Sequence, residues 1–355
     1  MLNAIFLICL FFIGTVGFVS WSAVIRRKKQ GQDLLGRLGE RNLAGSPLGL
    51  IDVFLVFFTW FGGQAIAVGA TMFFMGISQA DLPTLAGDQQ AKLLGIVGWA
   101  QLFGIMVSLV VLYFRYGRGR AIGLQPFVLK DVALGSVAFV MVIPIVLMIQ
   151  YLLTLIFEYE HPSLEMLTKE STGFTFMVVW FAAGFVAPIS EEVFFRGTLQ
   201  AWLQRLGPGR MKSDRILVGG WDYDEASAES VAQPAPVSNQ ESEATYPNGS
   251  NPYQSPQANS YGASQSEESR EANLQPRSWT TQSHWPIYVT AAIFAALHLG
   301  QGAAPIPLFV LAVVLGYLYR KTESILPCIV LHMLLNAFSL FWYTINVLYG
   351  AEPIP

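Results

Sequence analysis

The chain has 355 residues, of which 53% are hydrophobic and only 13% are charged, and its formal net charge is −3. A typical soluble domain carries about 25% charged residues. Between Gln204 and Trp285, 16 of 82 residues are charged, whereas the other 273 residues hold only 29 charges. A soluble globule of this length would need more polar surface, and the negative net charge removes the electrostatic case for a nucleic-acid partner. The two cysteines, Cys9 and Cys328, lie in apolar runs and give neither a disulfide framework nor a thiolate metal site.

Apolar runs long enough to cross a bilayer, about 20 residues each, follow one another along the chain. Their polarity does not alternate, which excludes a closed barrel. We therefore predict an all-α fold, a polytopic integral membrane helix bundle of about eight transmembrane helices with one disordered cytoplasmic insert. The sixth run is short. The eight runs are Leu2–Ile25, Leu50–Gly76, Leu93–Phe114, Val132–Phe157, Phe174–Ile189, Ile287–Leu299, Ile306–Tyr319 and Ile325–Leu348.

The chain divides into four predicted parts. Residues 1–157 hold about four N-terminal transmembrane helices, and residues 158–206 hold the next helix with the first motif. Residues 207–284 form an insert rich in Ser, Gln, Asn, Pro, Ala and Glu, which cannot bury enough apolar surface to offset its ordering entropy. We expect this insert to be a disordered spacer rather than a docking tail, with a short ordered patch at RILVGGWDYD. Residues 285–350 hold the C-terminal helices with the second and third motifs.

The positions of Lys and Arg orient these helices. When both termini are placed outside, the inside loops hold sixteen basic residues, not counting Arg270 and Arg277 in the insert, and the outside loops hold only Lys92 and Lys169. The positive-inside bias therefore places the insert in the cytoplasm. The first run is followed by the basic residues 26–29 and has no basic region before it, so we interpret it as a retained helix and not as a signal peptide. We expect a multi-pass protein of the plasma or inner membrane.

Ionisable and amide side chains inside the apolar runs are confined to three late helices. Charged groups at this depth are costly and need a partner or a function. At 100° per residue, Glu192 and Arg196 share one helix face, whereas Glu191 points elsewhere and has no partner in its own helix. Glu191 is therefore the candidate for chemistry, and Glu192 is a second carboxylate or a structural anchor. The complete set is Glu191, Glu192, Arg196, His298, His332 and Asn336.

Neighbouring residues add three expectations. Pro188 predicts either a kink that opens a polar notch or a helix start at the bilayer edge. Phe294 lies four residues before His298, so its ring would pack beside the histidine, and His332 and Asn336 share a face by the same spacing. Each polar residue alone would be explained by a structural hydrogen bond between two helices. Their concentration in three helices favours a shared functional centre.

Several kinds of chemistry are compatible with such a centre. A glutamate beside neutral imidazoles can hold a water, take its proton and stabilise an oxyanion. Glu191, His298 and His332 also form an acceptable Zn²⁺ ligand set with an open fourth position. No HExxH or Gly-x-Ser-x-Gly motif is present in the apolar runs. Hydrolysis of an amide by activated water is the enzyme hypothesis, and a proton- or cation-coupled transporter is the main alternative.

The three motifs together resemble the type II CAAX endopeptidase family, also called the CPBP intramembrane protease family, which includes bacteriocin-processing and abortive-infection-like membrane proteins. The resemblance is carried by Glu191-Glu192-x-x-x-Arg196, Phe294-x-x-x-His298 and His332-x-x-x-Asn336, in this order. The sequences around the first and last motifs, APISEEVFFRGTLQ and GYLYRKTESILPCIVLHMLLNAF, also resemble those usual in the family. The likeness covers roughly residues 174–340 without the insert.

The resemblance implies an intramembrane endopeptidase whose active site opens toward the cytoplasm. It implies that Glu191 and His298 activate the water, that His332 and Asn336 stabilise the oxyanion, and that Glu192 and Arg196 support the site. The family is catalogued as metalloproteases, although a metal-free glutamate mechanism has also been argued, so the resemblance leaves zinc or another divalent metal open. The implied partners are the lipid bilayer and a peptide or lipidated-protein substrate. A catalytically silent immunity or scaffold protein is a third possibility. The insert departs from the family pattern and would cover the site mouth if it were ordered.

Overall fold

The fold is described from a computed structural model in residues 2–32, 45–85, 87–117, 122–124, 129–156, 172–206, 213–220 and 283–349. The chain forms two units, the first comprising Met1–Gly220 with Ser278–Pro355 and the second Trp221–Arg277. The second unit, and with it most of the predicted insert, lies outside the described residues. The expected disorder of the insert and the division into four parts therefore stay predictions.

Every regular element in the described part of the chain is helical, which confirms the all-α prediction. A short 3₁₀ turn, Gln79–Thr84, lies between the second and third helices. The helices in these ranges are α1 (Leu2–Lys29), α2 (Leu50–Met75), α3 (Gly87–Tyr116), α4 (Leu129–Thr154), α5 (Gly173–Arg205), α6 (Ser213–Val218), α7 (Trp285–Ala296), α8 (Pro305–Thr322) and α9 (Leu326–Leu348).

Seven of the described helices are long and apolar enough to cross a membrane, namely α1 to α5, α8 and α9. The expected sixth crossing is α7, which has only 12 residues. At 1.5 Å per residue it is about 18 Å long, whereas the hydrocarbon core is about 30 Å thick. The helix ends there and is followed by turns over residues 297–304, where Gly302 adopts a positive φ of 59°. The protein is a multi-pass membrane protein with one short helix among its full crossings.

Helix α1 docks against α4 where a proline interrupts the latter's hydrogen bonds. Pro144 has no N–H, so the carbonyl of Val140 lacks its helical partner. Gly17 packs against that carbonyl so closely that a Cβ at this position would lie 2.8 Å from the Val140 oxygen. Trp21 Nε1 donates to the carbonyl of Met141 at 3.1 Å. A missing side chain on α1 and a missing donor on α4 therefore define this contact.

The opposite side of α4 holds α9. A Cβ on Gly135 would lie 2.6 Å from the carbonyl oxygen of Pro327, so only a glycine allows this approach. At the end of the contact, Ser324 Oγ donates to the buried carboxylate of Asp131 at 2.9 Å. These contacts fix the start of α9, the helix that carries the third motif.

Helix α5 is continuous from Gly173 to Arg205 but changes its winding four times. It is π-helical over Trp180–Val186 and again over Val193–Gln200, and α-helical over Ala187–Glu192 between them. Pro188 lies in the first turn of this central α-helical stretch. The prediction of a helix start there is wrong, because the chain is already helical before the proline. The altered winding accommodates its missing N–H within one long helix.

Part of the expected ordered patch in the insert is observed. The described residues 213–220 form the short helix α6 followed by two glycines with positive φ, Gly219 at 83° and Gly220 at 140°. This portion of the prediction is confirmed. The remainder of the patch, residues 221–224, lies outside the described residues.

Candidate active site

The predicted pair of Glu192 and Arg196 is present on α5. Arg196 Nε lies 3.2 Å from Glu192 Oε2, and Arg196 Nη1 lies 3.3 Å from Glu192 Oε1. Both side chains are fully buried. Arg196 Nη2 also donates to the carbonyl of Ala312 on α8 at 3.2 Å, and the guanidinium lies 5.1 Å from the ring centroid of Phe294 on α7. One arginine thus neutralises a buried carboxylate and connects α5 with both neighbouring helices.

The ring of His332 stands between the two glutamates. Its Nδ1 lies 2.9 Å from Glu192 Oε1, and its Nε2 lies 3.8 Å from Glu191 Oε2. The carboxylate of Glu192, paired with Arg196, accepts hydrogen bonds. Nδ1 of His332 therefore carries a hydrogen and donates a hydrogen bond to Glu192. The opposite edge of the ring, which carries Nε2, is thereby directed at Glu191. The order along this chain of contacts is guanidinium, carboxylate, imidazole and second carboxylate.

Glu191 is the open end of that chain. Its side chain is 16% exposed, whereas those of Glu192 and Arg196 are inaccessible. It makes no ion pair within α5 among the described contacts, as the helix geometry predicts. A carboxylate that is held near a histidine and still reached from outside can exchange a proton with a bound molecule.

His298 follows the end of α7 and packs on an aromatic ring. Its ring centroid lies 4.9 Å from that of Phe294, which confirms the contact predicted from their spacing. His298 Nδ1 donates to the carbonyl of Phe294 at 2.8 Å, because a carbonyl oxygen can only accept. In the neutral ring, Nε2 is then the nitrogen that can accept a hydrogen bond. Phe294 also contacts His332 with a centroid distance of 5.9 Å, so one aromatic ring separates and orients the two histidines.

Asn336 binds the backbone of α5, and its expected role as an oxyanion donor stays a prediction. Its Nδ2 donates to the carbonyl of Ala183 at 2.8 Å, in the first π-helical stretch of α5. The described contacts thus use Asn336 to join α9 to α5. The histidine and asparagine of the third motif share a helix face, but only the histidine contacts the glutamates.

The geometry can now be compared with known proteins. The family model described as "Rce1-like: Type II CAAX prenyl endopeptidase Rce1-like" matches residues 173–219 and 271–338. These two stretches contain all six candidate residues. The match therefore covers the part of the chain in which the three motifs lie, and this part is similar to type II CAAX prenyl endopeptidases. No curated protein and no solved structure matches the chain significantly.

This match to a protease family agrees with the resemblance carried by the three motifs. It runs without interruption through α5 and α6, stops at residue 219 and resumes at residue 271. The unmatched residues between these two stretches fall inside the predicted insert. The helices that carry the glutamates and histidines are thus similar to the family, and residues 220–270 are not matched.

The predicted metal set is not grouped closely enough in the described residues. Within the described ranges, no three His, Cys, Asp or Glu side chains are grouped so that they could hold one metal ion. Glu191 and His332 approach each other to 3.8 Å, and Nδ1 of His332 and of His298 is bound to Glu192 and to a backbone carbonyl, which leaves Nε2 of each ring as the nitrogen that could bind a ligand. The role of zinc or another divalent metal stays a prediction, and we derive no catalytic step from it.

Sequence reasoning missed the backbone partners of the site. The carbonyls of Ala183 and Ala312 accept from Asn336 and Arg196, and that of Gly316 accepts from Gln200 at 2.8 Å. Alanine and glycine carry no side-chain signal for such a role. A small residue opposite a buried polar one is the only sequence hint available.

Proposed function

We propose that the protein is an intramembrane endopeptidase that hydrolyses a peptide bond with water activated by Glu191. The observation that carries this proposal is the position of His332 between the two glutamates, 2.9 Å from Glu192 and 3.8 Å from Glu191. A buried, oriented imidazole next to a partly open carboxylate is the arrangement that general acid–base chemistry requires. The family supports a protease, and the geometry supports the assignment of roles.

In the proposed reaction, a water molecule donates one hydrogen bond to Glu191 and the other to Nε2 of His298. Glu191 removes a proton as the water oxygen bonds to the peptide carbonyl carbon, which gives a tetrahedral oxyanion. Glu191 then returns the proton to the leaving nitrogen as the C–N bond breaks. Protons and electrons balance without any group beyond water and the peptide.

His332 would stabilise the oxyanion. Its Nδ1–H is fixed on Glu192, so the ring cannot rotate, and a second proton on Nε2 would point to the side where Glu191 acts. Glu192 offsets the positive charge of the doubly protonated ring, and Arg196 in turn holds Glu192. Arg196, Glu192, His332 and the oxyanion together then carry no net charge, which a site of low polarity favours. Asn336 supports α5 through Ala183.

We further propose that the site faces the cytoplasm and that the substrate is a hydrophobic or lipidated peptide. The distribution of Lys and Arg supports the orientation, and the apolar surroundings of the site support the substrate class. CAAX-type cleavage is the family's activity and is proposed here for this chain.

The test replaces Glu191 with Gln in membranes that contain a cleavable lipidated peptide. We expect kcat to fall by about 10²- to 10⁴-fold, the usual contribution of a general base, with no loss of folded protein. The matched control is Asp88→Asn, which neutralises an exposed carboxylate paired only with Lys92 in the described contacts and should cleave as the wild type does. Undiminished cleavage by Glu191→Gln would refute the proposal.

Two further measurements separate the alternatives. Chelation should leave cleavage unchanged, and loss of activity that is restored by one metal ion per protein would require a metal mechanism instead. A transporter would show ion-dependent flux across vesicles that depends on Glu191, without any cleavage. A silent scaffold protein would show neither.

A further inference from the structure

A short segment beyond the catalytic helix contacts the bundle through its backbone. We call residues Ser213–Gly220 the strap; they comprise α6 and the two glycines after it. The side chains of Leu217 and Val218 are both 54% exposed, so they do not carry the contact. The backbone does: Gly220 N donates to the carbonyl of Pro47 at 2.7 Å, just before α2. The strap is thus held by main-chain hydrogen bonds.

Two glycines make this close approach possible. A Cβ on Gly49 would lie 2.6 Å from the carbonyl carbon of Val218, and a Cβ on Gly219 would lie 2.6 Å from the oxygen of Pro47. Contacts this short do not occur for real Cβ atoms, and Gly219 also has a positive φ of 83°. Any larger residue at either position must push the strap away from α2.

The strap is joined directly to the C-terminal end of α5. Arg205 is 1% exposed, and its two terminal nitrogens donate to the carbonyls of Leu48 and Gly220, each at 2.8 Å. Trp202 Nε1 donates to the carbonyl of Ile216 at 3.1 Å. One planar guanidinium therefore binds the end of the catalytic helix to the start of α2 and to the end of the strap.

Helix α3 completes the attachment. Arg115 Nη2 donates to the carbonyl of Val218, and the hydroxyl of Tyr116 lies 3.4 Å from the same oxygen. Tyr116 also donates to Asp52 Oδ2 at 2.5 Å, and Asp52 accepts from the N–H of Gly49 at 2.7 Å. The strap thus connects three helix ends, those of α2, α3 and α5.

The winding of α5 explains why its end needs such an attachment. The stretch Val193–Gln200, directly after Glu191 and Glu192, is π-helical. Stretches of this kind are rare, and they leave the helix free to return to α winding by shifting one residue. Such a shift would rotate the glutamates relative to everything beyond Gln200. Arg205 is fourteen positions after Glu191, about 21 Å along an α-helix, and holds the far side of this stretch.

We propose that the strap positions the catalytic helix, with Arg205 and Trp202 as positioning residues, and that the residues after Gly220 have no part in this role. The proposal rests on the proposed function for its effect on catalysis. The family match supports it, because matching ends at residue 219, just inside the strap, and the next fifty-one residues have no counterpart. The strap holds the helix register, and the inserted residues follow it in the sequence.

The test compares Gly49→Ala and Gly219→Ala with Gly76→Ala. Gly76 has a φ of 65°, similar to that of Gly219, but a Cβ there meets nothing within 4 Å, so it controls for backbone strain alone. The readouts are hydrogen exchange of the amides in Val193–Arg205, followed by mass spectrometry, and the separate values of kcat and KM. We expect both strap variants to exchange about tenfold faster and to lose about 10- to 100-fold in kcat with little change in KM.

Two milder changes keep the test decisive if a strap variant does not fold. Trp202→Phe removes the Nε1–H donor but keeps an aromatic ring at this position, and should accelerate exchange by about twofold to threefold. Deletion of residues 221–277 should leave both exchange and kcat within about twofold of the wild type. Exchange in Trp202→Phe equal to the wild type, or a deletion that itself accelerates exchange, would overturn the proposal.

The two proposals fail separately. If the wild type cleaves no peptide but the strap variants still exchange faster than Gly76→Ala, the strap stands and the peptidase assignment falls. If cleavage is present and the strap variants match Gly76→Ala in both exchange and kcat, the peptidase stands and the strap is refuted.

Discussion

Two buried carboxylates, Asp52 and Glu192, are both paired with an arginine but have different roles. Each is fully buried and each is paired with an arginine, Asp52 with Arg115 at 3.4 Å and Glu192 with Arg196 at 3.2 Å. The other partners of Asp52 are a tyrosine hydroxyl and a backbone N–H, which both donate permanently. The other partner of Glu192 is the ring of His332, whose second nitrogen stays available as a donor or an acceptor. The difference lies in the partner's chemistry and not in burial.

The second difference is access. The Asp52 cluster ends in backbone carbonyls of the strap, so every group in it is used within the protein. The Glu192 cluster ends in Glu191, which is partly exposed. A buried charge in a membrane protein is therefore weak evidence for function on its own. A buried charge that orients a histidine toward an accessible carboxylate is much stronger evidence.

The largest effect should come from Arg196→Met. This change leaves Glu192 buried without its cation, and removal of one partner from a buried pair costs about 3–5 kcal/mol. We expect a large drop in the thermal unfolding midpoint in detergent and a loss of cleavage beyond that of the folded fraction, because His332 then loses its oriented acceptor. A variant as stable and active as the wild type would place Arg196 outside the site.

Asp52→Asn should act on stability more than on chemistry. It removes a charge-assisted contact but keeps an acceptor for Gly49, which suggests a cost of about 1–3 kcal/mol. We expect a lower unfolding midpoint, an unchanged KM, and a fall in kcat of no more than about tenfold through the strap. A loss of kcat as large as that of Glu191→Gln would show that the two clusters are not distinct in role.

Tyr116→Phe removes a single hydroxyl from the structural cluster. The loss of one hydrogen bond to a carboxylate costs about 1.5–3 kcal/mol at most and less where Arg115 compensates. Thermal unfolding of the wild type, Tyr116→Phe, Asp52→Asn and the double variant would give the coupling between the two residues. Additive effects would contradict a shared cluster, because residues in direct contact should be coupled.

The smallest effect should come from Trp21→Phe, which lies outside both clusters. It removes the hydrogen bond from α1 to the carbonyl of Met141, and interhelical hydrogen bonds in membranes average about 0.6 kcal/mol. We expect a slight decrease in the unfolding midpoint and normal kcat. A pronounced loss of cleavage would give α1 a role in the site that its contacts do not indicate.

The sequence predicted local relations well. The pairing of Glu192 with Arg196 and the contact of Phe294 with His298 both follow from a spacing of four on one helix, and both are observed. The approach of His332 to the two glutamates is not accessible in this way, because 140 residues separate it from Glu192. The motifs brought these residues into one hypothesis, and only the packing of α9 on α5 gives them an order.

The error at Pro188 came from assuming a uniform helix. A constant 100° per residue cannot represent the π-helical stretches of α5, so Pro188 was allowed as a helix start although the helix runs through it. The contact of Asn336 with the carbonyl of Ala183 was not predicted either, and its oxyanion role, which the family resemblance implies, stays a prediction. Winding defects and backbone acceptors depend on tertiary packing, and neither leaves a residue-type signal.

The short helix α7 has a consequence for the supply of water. Its chain turns back over residues 297–304, after about 18 Å, and Leu299 in this turn is 71% exposed. Irregular backbone cannot face lipid tails, so these turns must be covered by protein or wetted. His298 lies in the same turn. Because Leu299 leaves this turn open among the described residues, we expect water to reach His298, and the proposed hydrolysis would consume that water as its second reactant.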